Sequence, residues 1–122
     1  MGNILIVDDD PMNLKVAKFI LESGGHQTNT VSSASECFDF LMKNTVDLIL
    51  LDIEMPVLNG IKTLEYLREQ ERYRNIPVVF LTAEADVETV TEAARLGAQG
   101  YVKKPFLPKD LLDRVEQVMI KS

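Results

Sequence analysis

The chain of 122 residues is 46% hydrophobic and 26% charged, which excludes a disordered or fibrous protein and fits one globular domain. A formal net charge of −6 and a pI near 4.7 argue against nucleic acid or an anionic membrane as a direct partner. The one cysteine, Cys37, excludes an internal disulfide and suits a reducing cytoplasm, no apolar run approaches the roughly 20 residues of a membrane span, and no signal peptide is expected at the start.

Ile4, Leu5, Ile6 and Val7 form an unbroken apolar run, the mark of a strand buried on both faces, and it stops on Asp8, Asp9 and Asp10. Asp10 can cap a helix whose first turn accepts Pro11, because a missing N–H costs nothing there. Leu14, Ala17 and Leu21, flanked by Val16 and Ile20, share a face of that helix, and Gly24-Gly25 ends it. A weak strand follows over 28–31. Ser33-Ala34-Ser35-Glu36 has capping-box form, and Ala34, Cys37, Phe38 and Leu41 make the next apolar stripe. Leu48, Ile49, Leu50 and Leu51 form a third strand, which stops on Asp52. Beyond Met55-Pro56 and the turn signal Asn59-Gly60, a third helix is marked by Ile61, Leu64 and Leu67. Pro77 opens a fourth strand over 77–81, at the entry where its missing donor does least harm. Val87, Val90 and Ala94 set the face of a fourth helix, closed by Gly97. Gly100, Tyr101 and Val102 make a short fifth strand. After Pro105 and Pro108, Leu111, Leu112, Val115, Val118 and Met119 line the last helix.

Strands alternating with helices imply βαβ units and a parallel sheet between helix layers, within one domain over 1–122. Ligands of such sheets bind beyond the carboxyl ends of the strands. Asp8, Asp9, Asp52, Thr82 and Lys104 each follow a strand directly or within two residues, so they converge on one edge. Two carboxylates 4 Å apart repel by roughly 4 kcal/mol at an effective dielectric near 20. Such a gathering points to a divalent cation, a reacting carboxylate, or both. Mg²⁺ takes carboxylate and phosphate oxygens, Thr82 offers a hydroxyl donor, and Lys104 offers a point charge for phosphate. Together these groups suit phosphoryl transfer, where charge placement does most of the work, with Asp52 as a carboxylate nucleophile.

The motifs Ile6-Val7-Asp8-Asp9, Leu51-Asp52-Ile53-Glu54-Met55-Pro56 followed by Asn59-Gly60, Leu81-Thr82-Ala83, and Lys104-Pro105-Phe106 cover essentially the whole chain. In order and spacing they resemble the bacterial response-regulator receiver domain, the CheY-like phosphoacceptor module of two-component signalling. The resemblance implies a flavodoxin-like (βα)5 fold with strand order 2-1-3-4-5. It implies that Asp52 is the phosphoacceptor and that Mg²⁺ is held by Asp8, Asp9, Asp52 and the backbone carbonyl of Glu54. Lys104 would contact the phosphoryl group, and its bond to Pro105 would be cis. Thr82 and Tyr101 match the family's switch pair, in which phosphorylation draws the threonine hydroxyl toward the phosphoryl oxygen and the aromatic ring turns inward. Glu54 and Glu84 stand two places after the phosphoacceptor and the threonine, at positions that vary in the family and affect how long the phosphoryl group lasts. The implied donor is a sensor histidine kinase or phosphotransfer domain, and the implied recipient of the signal is an effector or output domain. The expected protein is cytoplasmic, a monomer or a phosphorylation-dependent homodimer, and a switch rather than an enzyme with turnover.

Two other chemistries fit parts of the pattern. A Mg²⁺-dependent phosphatase of the haloacid-dehalogenase kind uses an Asp-x-Asp motif that Asp8-Asp9-Asp10 could mimic, but Met12 stands where threonine or valine is wanted and this domain is expected to lack a substrate-covering cap. A flavin mononucleotide carrier needs a hydroxyl- and glycine-rich loop after its first strand, where three aspartates would repel the phosphate. Away from the edge, structural roles are expected. Asp10 is a helix cap, His26 a solvated turn residue and Cys37 an inert core thiol. Met55 belongs to the core, and Arg68-Glu69-Gln70-Glu71-Arg72 is a solvated helix face.

Overall fold

Residues 2–83 and 87–121 are described by the computed structural model, so Glu84 lies outside the described residues. Strands β1 (Asn3–Val7), β2 (Gln27–Val31), β3 (Leu48–Asp52), β4 (Val78–Thr82) and β5 (Gly100–Lys103) form one sheet in the order β2-β1-β3-β4-β5. Every pairing is parallel. Helices α1 (Pro11–Ser23), α2 (Ala34–Lys43), α3 (Gly60–Glu69), α4 (Val87–Arg95) and α5 (Pro108–Lys121) connect the strands and continue the chain. This is the flavodoxin-like arrangement, and its order reverses at β1, so a crevice is expected at the ends of β1 and β3.

The alternation of side chains along each strand divides the core into two layers. Ile4, Ile6, Leu48, Leu50, Val79 and Leu81 pack with Ala17, Ile20 and Leu21 of α1 and with Leu111, Val115 and Val118 of α5. Leu5, Val7, Ile49, Leu51, Val78 and Phe80 face the other way, toward Cys37 and Leu41 of α2, Leu64 and Leu67 of α3, and Ala93 of α4. The two central apolar runs are therefore buried on both sides, and the polar Gln27–Val31 forms the half-exposed edge strand β2. Cys37 is fully buried, and burial pushes its thiol up to about 12, which leaves it protonated and inert.

Local capping follows the sequence closely. The Asp10 carboxylate accepts from Met12 N–H at 2.9 Å, and Ser33 Oγ accepts from Glu36 N–H at 3.1 Å. Glu36 reaches back one residue further than a capping box does, accepting from Ser32 N–H at 2.7 Å.

Three structural expectations need correction. On α4 it is Ala93 that is buried, with Leu96 just past the helix against the same core layer, whereas Val87 and Ala94 are exposed. A short helix offers more than one apolar stripe at helical spacing, and contact with the sheet selects among them. His26 is buried, not a solvated turn residue, with Nε2 3.9 Å from Glu116 of α5. Burial lowers its pKa, so the imidazole is held neutral. Arg68 is half-buried rather than solvated. Its guanidinium donates to the carbonyls of Leu96, Arg74, Ile76 and Gly97 at 2.9–3.2 Å, tying α3 to the entrance of β4 and the exit of α4.

Candidate functional site

Register delivers the acids. Val7 pairs with Leu51, so the residues that follow, Asp8 and Asp52, leave the sheet side by side. On the other flank Asp52 pairs with Leu81, and Thr82 pairs with Lys103. Parallel strands all end at the same edge, which is why residues far apart in sequence meet there. Asp8, Asp52 and Thr82 are buried, Asp9 and Glu54 are exposed, and Lys104 lies between these extremes. Main-chain bonds hold the edge in place: Lys104 N–H donates to Thr82 O at 2.9 Å, and Ile53 N–H donates to Leu81 O at 3.1 Å.

The lysine reaches both buried acids. Lys104 Nζ stands 3.0 Å from Asp8 Oδ2 and 3.0 Å from Asp52 Oδ1. Asp52 Oδ1 also accepts from Glu54 N–H at 3.1 Å, and Asp8 Oδ1 accepts from Asp10 N–H at 2.9 Å. Burial, then the charge of Asp8, lifts the Asp52 carboxyl to about 7 against the opposing pull of Lys104 and Glu54 N–H. Burial alone would lower Lys104, but its close contacts with the Asp52 and Asp8 carboxylates outweigh that and raise it, so the ammonium stays charged.

The ammonium beside Asp8 Oδ2 is close enough for an ion pair yet not aligned for a hydrogen bond, and Oδ2 is buried without a hydrogen-bond partner. A buried carboxylate oxygen left in that condition is costly unless a cation or donor satisfies it. Ligand oxygens of Asp8, Asp9 and Asp52 lie within 4.8 Å of one another, and together they could hold a metal ion. An all-oxygen set of this kind suits Mg²⁺ rather than a softer metal.

The remaining predicted residues sit close by. The Lys104-Pro105 bond is cis. Tyr101 lies on β5 three residues before Lys104, paired with Phe80, and is 36% exposed at the sheet margin. Asp10 caps α1 and stays exposed, apart from the three clustered acids. Gly60 matters more than its turn signal suggested. Its N–H donates to Ile53 O at 2.8 Å, and a Cβ there would meet Asp52 O at 2.3 Å and Ile53 Cα at 2.8 Å. The first turn of α3 thus rests directly on the main chain of Asp52, an approach open only to glycine. The backbone donors Glu54 N–H and Asp10 N–H escape sequence reading, because any residue type supplies them.

A doubly wound parallel sheet with clustered acids and a lysine over its switch point has the form of a receiver domain. The family model for the response regulator receiver domain matches residues 4–116, and the chain belongs to that family of two-component signalling proteins. The response regulator SaeR of Staphylococcus aureus is 34% identical over 119 residues, covering 98% of this chain and 51% of SaeR. The chain therefore spans about half the length of the curated relatives it matches. Among solved structures, chemotaxis protein CheY4 of Vibrio cholerae superposes with a TM-score of 0.91 at 30% identity, covering 97% of this chain and 98% of that one. NtrX of Brucella abortus gives 0.91 at 28% identity, covering 98% of this chain and 27% of that one. Among the described residues no helix is long and apolar enough to cross a membrane.

Proposed function

We propose that Asp52 accepts a phosphoryl group from the phosphohistidine of a sensor kinase or phosphotransfer domain, and that the domain passes on the result as a change of shape. The observation that carries this reading is the buried Asp52 carboxyl held 3.0 Å from Lys104, with Asp8 and Asp9 gathered beside it. An Asp52 oxygen attacks phosphorus, the P–N bond of the donor breaks, and the imidazole nitrogen leaves with the electron pair and takes up a proton. Lys104 places positive charge where the phosphoryl oxygens gain negative charge, and its main-chain bond to Thr82 keeps both residues at the reacting edge. Asp8, Asp9, Asp52 and the carbonyl of Glu54 would hold Mg²⁺, which supplies charge to offset the acids and the transferring group. Thr82 and Tyr101 would carry the conformational response toward an effector or output domain, in the cytoplasm, as a monomer or a phosphorylation-dependent homodimer. The protein acts on itself and turns over no separate substrate, so we read it as a switch and not an enzyme.

Incubation with Mg²⁺ and acetyl phosphate, followed by intact-mass measurement, tests the reading. Wild type should gain one acid-stable, base-labile phosphoryl group, Asp52→Asn should gain none, and Asp8→Asn should gain it slowly. A phosphoryl adduct that survives Asp52→Asn, or multiple turnover of phosphate esters, would overturn it.

A further inference from the structure

Among the described residues, three donors at or just past the ends of β3, β4 and β5 each already hold a carboxylate. Lys104 Nζ holds Asp8 and Asp52. Glu54 N–H holds Asp52 Oδ1. The third donor, Ala83 N–H, directly follows Thr82 and donates to Oε1 of Glu54 at 3.4 Å, a contact that bridges the loop after β3 and the end of β4. Two of the three therefore serve the buried acids that build the site. The third serves the exposed side chain of Glu54.

A phosphoryl group brings about 1.5 to 2 negative charges near neutral pH, together with oxygens that seek N–H donors. Placed on Asp52, it arrives at the same edge and repels a neighbouring carboxylate. Glu54 has the sign of charge and the acceptor oxygens of that group, and it occupies a donor that the group could use. Lys104 and Glu54 N–H cannot be released without dismantling the resting contacts of Asp52, but Ala83 N–H is freed by a single side-chain rotation.

We propose that Glu54 is an internal stand-in for the phosphoryl group: its carboxylate latches Ala83 N–H in the resting protein and swings out when Asp52 is phosphorylated. The inference rests on the reading of Asp52 as the phosphoacceptor. The latch stabilises the unmodified state, and its opening hands the amide beside Thr82 to the incoming anion. Substituting the Glu54 side chain leaves its backbone carbonyl in place, so the metal ligand proposed there is retained.

Beryllofluoride, a tetrahedral mimic of a phosphoryl group on a carboxylate, is titrated at saturating Mg²⁺ into wild type, Glu54→Gln, Glu54→Ala and Asp52→Asn. The amide of Ala83 is followed by NMR throughout. Before ligand is added, Glu54→Ala should move the Ala83 amide proton upfield, as loss of a hydrogen bond does. Its beryllofluoride affinity should then rise by up to about fivefold, the range for releasing an exposed charged contact. Glu54→Gln, which keeps an acceptor oxygen but no charge, should fall between Glu54→Ala and wild type. An unmoved Ala83 amide in Glu54→Ala, or an affinity no higher than wild type, overturns the latch while loss of binding in Asp52→Asn leaves the phosphoacceptor reading intact. Binding that persists in Asp52→Asn overturns the phosphoacceptor reading itself.

Discussion

Replacing Asp52 by asparagine removes the charge of a buried group while nearly keeping its shape, and it should make the resting domain more stable. The folded protein lifts this carboxyl from its ordinary 3.8 to about 7, chiefly by burial and with Asp8 adding repulsion. A tenfold change in proton affinity corresponds to about 1.4 kcal/mol, so at neutral pH the ionised group costs the fold roughly 4 kcal/mol. The amide keeps one oxygen for Lys104 and Glu54 N–H, but its new N–H groups need partners and Lys104 is left with Asp8 alone. The net gain should therefore be about 1–3 kcal/mol. The folded pKa is raised, so wild type has its full share of this stability below about pH 4 and loses it as pH rises through about 7. The advantage of Asp52→Asn is then largest at and above neutral pH and fades toward pH 4. Urea unfolding in buffer free of divalent ions, repeated across this range, measures it. Added Mg²⁺ should close part of the gap by binding folded wild type. A variant no more stable than wild type at neutral pH, or an advantage that grows on acidification, would show that Asp52 is not held against its charge.

Two further substitutions probe the frame around the site. Gly60→Ala improves helix propensity by about 1 kcal/mol, yet its methyl group would press on Asp52 O. It should therefore destabilise by roughly 1–3 kcal/mol and slow labelling of Asp52 by acetyl phosphate; a stabilised variant with wild-type labelling would contradict the close approach. Arg68→Ala strips four carbonyls of their donor and should cost roughly 2–4 kcal/mol in urea unfolding. Arg68→Lys should recover less than half of that loss, because one ammonium cannot span the same carbonyls as a planar guanidinium.

The strands and most helices could be read from the chain because their signals are local. Four apolar residues in a row at 48–51 demand burial on both faces whatever lies around them, and Asp10, Ser33 and the glycines act within a few residues. The gathering of side chains at one sheet edge was legible for a related reason. In a parallel sheet a residue just past a strand has one place to go, so Asp8, Asp52, Thr82 and Lys104 had to meet once their strands were recognised. Where the reading failed, the deciding partner was distant in sequence. Arg68 looks like any charged residue on an exposed helix until carbonyls 28 and 29 residues away close around it. His26 looks like a turn residue until α5 covers it.

The sequence by itself determined which residues gather and what chemistry they suit, because side-chain type and strand order are both written along it. Only the tertiary structure decided how the gathered groups share their donors. Lys104 divides between two acids, Asp8 keeps an oxygen without a hydrogen bond, and Ala83 N–H, 29 residues from Glu54, is already engaged. Those outcomes depend on distances of a few ångströms between strand ends, and electrostatic and hydrogen-bond energies fall off over that range. No pattern along the chain encodes them.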